Sequence, residues 1–124
     1  MCIYIMNNRT PRVINRCRRC EPGEIGISAV TISELRYGVS RSMQQKKNKV
    51  RVDEFLVPFE VLAYDLEAAD VYGDIRFQLE KMGTPIGAMD MLIAAQALSR
   101  NLILVTNNEK EFQRIRNLKV ENWT

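Results

Sequence analysis

The chain has 124 residues, 46% of them hydrophobic and 27% charged, with a formal net charge of +3 and no histidine. This is the composition of a single soluble domain, residues 1–124, with enough apolar mass to bury a core. No stretch approaches the ~18 uninterrupted apolar residues of a membrane span, and MCIYIM is too short, and lacks the basic lead, for a signal peptide, so the expected location is the cytoplasm with no membrane involved.

The opening run, MCIYIMNN, is ambiguous. Its Ile and Tyr favour a buried strand, yet so few apolar residues cannot be told from a helix fragment by periodicity. PRVINRCRRC follows with Val13, Cys17 and Cys20 on one helical face and Arg12, Arg16 and Arg19 on the other, which turns the thiols toward a core. Neighbouring arginines can lower a thiol pKa, but a zinc site would need two further ligands in a chain with one other cysteine.

After the turn EPGE, IGISAV reads as a buried strand and TISELRYGVSRS as a helix begun by Thr31, with Glu34 three positions on as its capping-box partner. The basic stretch from Gln44 to about Phe55 is predicted helical and stopped by Pro58; EVLAYD is a strand. Asp65 is the expected N-cap of a long helix with Ala68, Val71, Tyr72, Ile75, Leu79 and Met82 as its core stripe and Gly83 as its stop. AMDMLIAAQALSR is a helix apolar nearly all round, so it is expected between layers. LILVTNN, EKEFQRI and LKVENW read as strand, short helix and strand. Strands alternating with helices imply an α/β fold with a parallel sheet covered on both faces.

Charge is unevenly distributed. Residues 1–20 hold five arginines and no acid, residues 36–52 six basic residues and no acid, and residues 53–80 eight acids against one arginine. Two basic blocks separated by acid suggest a side facing a polyanion, although solvated helix faces would give the same pattern.

Mechanisms that use Ser-His-Asp or Cys-His are excluded by the lack of histidine, and no glycine-rich phosphate loop is present. The chemistry left is acidic. Glu34, Asp90 and Glu111 each fall near a handover from strand to helix, where ligands gather in open α/β sheets. Each has a structural explanation: Glu34 in a Thr31 capping box, Glu111 three residues after a good cap at Asn108, and Asp90 in a first helical turn. Together they point to a site, because converging carboxylates repel one another and a hard divalent cation such as Mg²⁺ or Mn²⁺ neutralises them. Asp90 is the strongest candidate, being the only charged residue in TPIGAMDMLIAAQAL, and Thr106, Asn107 and Asn108 can add neutral oxygens or orient water.

The blocks ISAVTISELRYGV, GTPIGAMDMLIAAQAL and LILVTNNEKEFQRIRNLKVENW, in that order, resemble PIN-domain ribonucleases of the VapC toxin type. The resemblance implies a three-layer α/β/α domain, a cluster of acids holding Mg²⁺ or Mn²⁺, and hydrolysis of RNA phosphodiesters. It carries metal ligation onto Glu34, Asp90 and Glu111, with Asn108 standing where many relatives have a further Asp. It also implies a homodimer silenced by a VapB-type antitoxin. Arg9, Arg12, Arg16, Lys46, Lys47 and Lys49 become candidates for contacts to the RNA backbone.

One departure stands out. Relatives open with a short strand ending in Leu-Asp-Thr-Asn, and MCIYIMNN resembles the helix start that follows it. The expectation is that the first, central strand and its Asp are missing, through a recorded start downstream of the true one or a shortened gene; alternatively, CIYIM itself takes the vacant strand position. The competing function is then a catalytically impaired PIN domain that only binds RNA or an antitoxin.

Overall fold

The computed structural model describes residues 2–7 and 10–124. A strand from Tyr4 to Met6 (β1) is followed by helix Pro11–Cys17 (α1), strand Ile25–Ser28 (β2) and helices Ala29–Ser40 (α2) and Gln45–Leu56 (α3). Strand Glu60–Leu62 (β3) leads to helices Leu66–Met82 (α4) and Ala88–Ser99 (α5). Strand Ile103–Val105 (β4), helix Glu109–Phe112 (α6) and strand Lys119–Glu121 (β5) complete the order.

The strands form one sheet in the order β3-β2-β1-β4-β5, and every pairing is parallel. Side-chain alternation divides the interior. Ile5 and Leu104 share a core with α4, α5 and α6 residues such as Ile75, Leu79, Ile93 and Phe112. Met6, Ile25, Ile27 and Val105 face the other way, against Val13 of α1, Leu35 of α2, Leu56 of α3 and Trp123. The sheet is thus covered on both sides, giving the expected α/β/α layers.

The central strand is present, which corrects the expectation that it is missing. Tyr4–Met6 pairs with Ile25–Ile27 on one side and Ile103–Val105 on the other, and Ile5 is fully buried. The physical reason is that β2 and β4 would otherwise bury unpaired backbone groups, and an Ile/Tyr-rich run is suited to fill the gap. Of the alternatives for this run, the structure shows the strand, with Asn7 rather than an acid at its end.

The cap of α2 also differs. Its N-cap is Ser28, whose Oγ accepts from the Val30 N–H at 3.0 Å, so Thr31 lies inside the helix and Glu34 is not its capping-box partner. In α4 the Asp65 carboxylate accepts from the Ala68 N–H at 2.9 Å, and Gly83 ends the helix with φ +70°, as its freedom at positive φ allows. Ala68, Ile75 and Leu79 are buried as expected, but Met82 is 54% exposed at the fraying end. Helix α5 lies between layers, burying Met91 and the whole run Ile93–Ala97.

Cys17 and Cys20 pack at the edge of the core under α1. Burial pushes the Cys17 thiol up to about 11 and raises Cys20 as well, so Arg16 does not activate the pair.

Candidate functional site

Strand order reverses between β1 and β4, and the crevice beyond their carboxyl ends is where an open α/β sheet offers a site. The two ends are tied together by the Asn7 N–H, which donates to the Val105 carbonyl at 2.9 Å. Asn7 Oδ1 accepts a long 3.4 Å hydrogen bond from Thr31 Oγ1 of α2. After β4 the chain turns through buried Thr106, whose Oγ1 accepts from the Asn108 N–H at 3.1 Å. Asn108 then heads α6, but its side chain does not cap that helix; Nδ2 donates instead to Glu111 Oε2 at 3.0 Å. The carboxamide thereby orients one carboxylate of the predicted set.

Asp90 stands in the first turn of α5 behind a Gly87 cap that supplies no side-chain hydrogen bond. Its carboxyl pKa is raised, first by desolvation, then by the negative charge of Glu111, then by that of Glu34. Helices from three parts of the chain therefore bring the three predicted acids within electrostatic range of one another. They do not close into a preformed ligand set: among the described residues no three Asp, Glu, Cys or His groups stand close enough to hold an ion. The donors themselves, carboxylates with neighbouring amide oxygens, suit a hard divalent cation, and a half-buried carboxylate repelled from two sides is the group such a cation would relieve.

The predicted basic residues fare differently. Arg9 lies outside the described residues. Arg12 is exposed on α1, and Lys46 and Lys47 are exposed on α3. Arg16 is engaged, its guanidinium 4.5 Å from the Trp123 ring centre and 3.7 Å from Glu121. Lys49 pairs with Asp53 at 2.9 Å, and Asp53 also holds Arg36 at 2.7 Å. Sequence reasoning passed over Arg51 and Asn48, which line a cleft between α2 and α3 together with Glu34. It also passed over Gln96, fully buried, which accepts a hydrogen bond from Ser28 Oγ and donates from Nε2 to the Leu62 carbonyl at 2.9 Å. The signal for Gln96 was visible, since it is the sole polar side chain in MLIAAQAL.

A parallel five-stranded sheet between helical layers, with mutually repelling carboxylates near its switch point, defines the class: a three-layer α/β domain with an acidic site. Residues 2–118 match the PIN domain. Ribonuclease VapC2 of Rickettsia felis is 39% identical over 124 residues, which is 99% of this chain and 92% of that protein. The tRNA(fMet)-specific endonuclease VapC of Shigella flexneri is also 39% identical, over 100% of this chain and 93% of its own length. Among solved structures, DNA-bound VapBC from Salmonella typhimurium superposes with a TM-score of 0.92 at 35% identity, covering 100% of both chains. The chain belongs to the PIN-domain family, in the branch of the VapC ribonucleases.

Proposed function

We propose that this protein is a metal-dependent endoribonuclease that hydrolyses RNA phosphodiester bonds and is neutralised by a VapB-type antitoxin. The observation that carries the reading is the Asp90 carboxyl, desolvated and repelled by Glu111 and Glu34 at the mouth of an apolar helix. That arrangement disfavours an empty, fully ionised cluster and favours one that shares a cation. The antitoxin is proposed because the similar solved structures are of VapBC complexes.

Asp90 and Glu34 would hold Mg²⁺ or Mn²⁺, with Glu111 as a third donor held in orientation by Asn108. When bound, such an ion lowers the pKa of water and stabilises charge on the phosphate. Thr106 fixes the backbone that presents Asn108, and Asn7 ties the two strand ends beside it. Arg12, Lys46 and Lys47 are available to neutralise the RNA backbone without reading sequence.

A second reading, a binding module without catalysis, is favoured by two observations. The end of the central strand carries the amide Asn7, and the acids do not form a closed ligand set among the described residues. Cleavage of a structured RNA with and without Mg²⁺ or Mn²⁺, beside an Asp90→Ala control, separates the two. Metal-dependent cleavage lost in the control supports the nuclease; a folded chain that binds RNA yet leaves it intact supports the module.

A further inference from the structure

Helices α2 and α3 are clamped on one side by the Arg36–Asp53 ion pair. Elsewhere between them they leave a cleft of about 340 Å³, walled by Glu34, Leu35, Gly38 and Val39 of α2 and by Asn48 and Arg51 of α3. Three features set it apart. Glu34 lines this cleft and is also one of the two acids whose charge acts on Asp90, so one residue is common to the cleft and the acidic set. Neither the Arg51 guanidinium nor the half-buried Asn48 carboxamide meets a hydrogen-bond or ion-pair partner among the described residues, although Arg36 and Lys49 close by are both paired. At Gly38 an added Cβ would meet nothing within 4 Å, so the wall there opens onto empty space.

We propose that this cleft is a subsite for single-stranded RNA, taking the nucleotide that flanks the scissile bond. The proposal rests on the ribonuclease reading above. The cleft has a polarity that fits a nucleotide: a cation at Arg51 for the phosphate, a carboxamide at Asn48 with both a donor and an acceptor for a base edge or a ribose hydroxyl, and apolar Leu35 and Val39 for the base plane. Glu34 at the other end belongs to the proposed metal set, so a strand whose flanking phosphate meets Arg51 on α3 runs toward the scissile position at that end. A cavity of this size is within the ~300–1,000 Å³ range of clefts that hold small organic groups. Arg51 is therefore a phosphate contact and Asn48 a specificity residue.

The test is binding of a fluorescein-labelled, mixed-sequence single-stranded RNA dodecamer, followed by anisotropy over a range of salt concentrations. Arg51→Ala should weaken binding roughly tenfold and flatten the slope of log affinity against log salt by about 0.7, as expected for one lost contact to a single strand. Gly38→Leu fills the cleft while improving helix propensity, so it should weaken binding with an unchanged or higher Tm. Lys81→Ala, at the end of α4, is the control and should bind as the unaltered protein does. Normal binding by Gly38→Leu, or a loss in Arg51→Ala no greater than in the control, overturns the subsite. If the unaltered protein still cleaves RNA in an Asp90-dependent way, the nuclease reading survives that result; failure of the unaltered protein to bind RNA at all removes both.

Discussion

Ser28 and Gln96 meet through a buried hydrogen bond, Ser28 Oγ donating to Gln96 Oε1, although one residue caps α2 and the other lies in the middle of α5. The same Gln96 side chain reaches the Leu62 carbonyl beyond it, so a single amide joins the ends of β2 and β3 to the helix that carries Asp90. Gln96→Leu keeps the volume but strands both partners. Each buried group left without a partner costs about 1–3 kcal/mol, so the loss in urea denaturation should be about 2–6 kcal/mol. A loss below about 0.5 kcal/mol would show that the network is dispensable.

Gly26 offers a direct check on the centre of the sheet. An alanine there would place its Cβ 2.8 Å from Leu62 Cδ1 and 3.1 Å from Cys2 Sγ. Those neighbours are themselves buried, so they have little room to give. Gly26→Ala is expected to destabilise by about 1–3 kcal/mol, the usual penalty for overpacking. If denaturation shows no change, the residues ahead of β1 do not lie against β2 as described.

Asp90 makes a prediction about pH. Its folded-state pKa is raised, so the folded protein holds that proton more tightly than the unfolded chain does. The sign follows: the contribution from Asp90 is favourable below the ordinary Asp pKa, and is lost as pH rises through the raised value. Asp90→Asn should therefore be more stable than the unaltered protein at neutral pH and lose that advantage in acid, where both carry a neutral side chain. Thermal melts across pH test this, and added Mg²⁺ should raise the Tm of the unaltered protein but not of the variant. Equal melting at every pH would mean that Asp90 is neither desolvated nor repelled as its raised pKa requires.

The thiols should be sluggish. Cys2, buried and donating to Glu60 Oε2 at 2.8 Å, and Cys17 are both pushed up to about 11. At pH 7.5 their alkylation by iodoacetamide should be roughly ten- to a hundredfold slower than that of free cysteine. Labelling of Cys17 at the free-thiol rate would show that α1 opens readily from the sheet.

What could be read from the residues alone followed from how local the determining forces are. The Asp65 cap, the Gly83 stop and the buried character of α5 depend on near neighbours, and all three stand as expected. Asp90 was legible for a similar reason, as a lone charge in an apolar helix. The opening run was not: CIYI leans to strand by propensity but is too short for periodicity to tell it from a helix fragment, and its pairing with β2 and β4 decides. The cap of α2 went to Ser28 over Thr31 because both are good caps, and the place where β2 ends is a property of the sheet. Arg51 could not be told from its basic neighbours, because which of them turns toward α2 depends on how the two helices pack.

The strand order has a consequence for how the molecule is made. Tyr4 sits opposite Ile103, so the middle of the sheet joins segments that lie far apart in the sequence. Contacts of such long span form late and limit the rate of folding. On the ribosome, Glu34 and Asp90 emerge well before β4 and Glu111, and until then there is no completed crevice to hold the three acids together. The growing polypeptide thus carries Glu34 and Asp90 before the crevice that brings Glu111 near them exists, and the three acids come within range of one another only once β4 and α6 have been made.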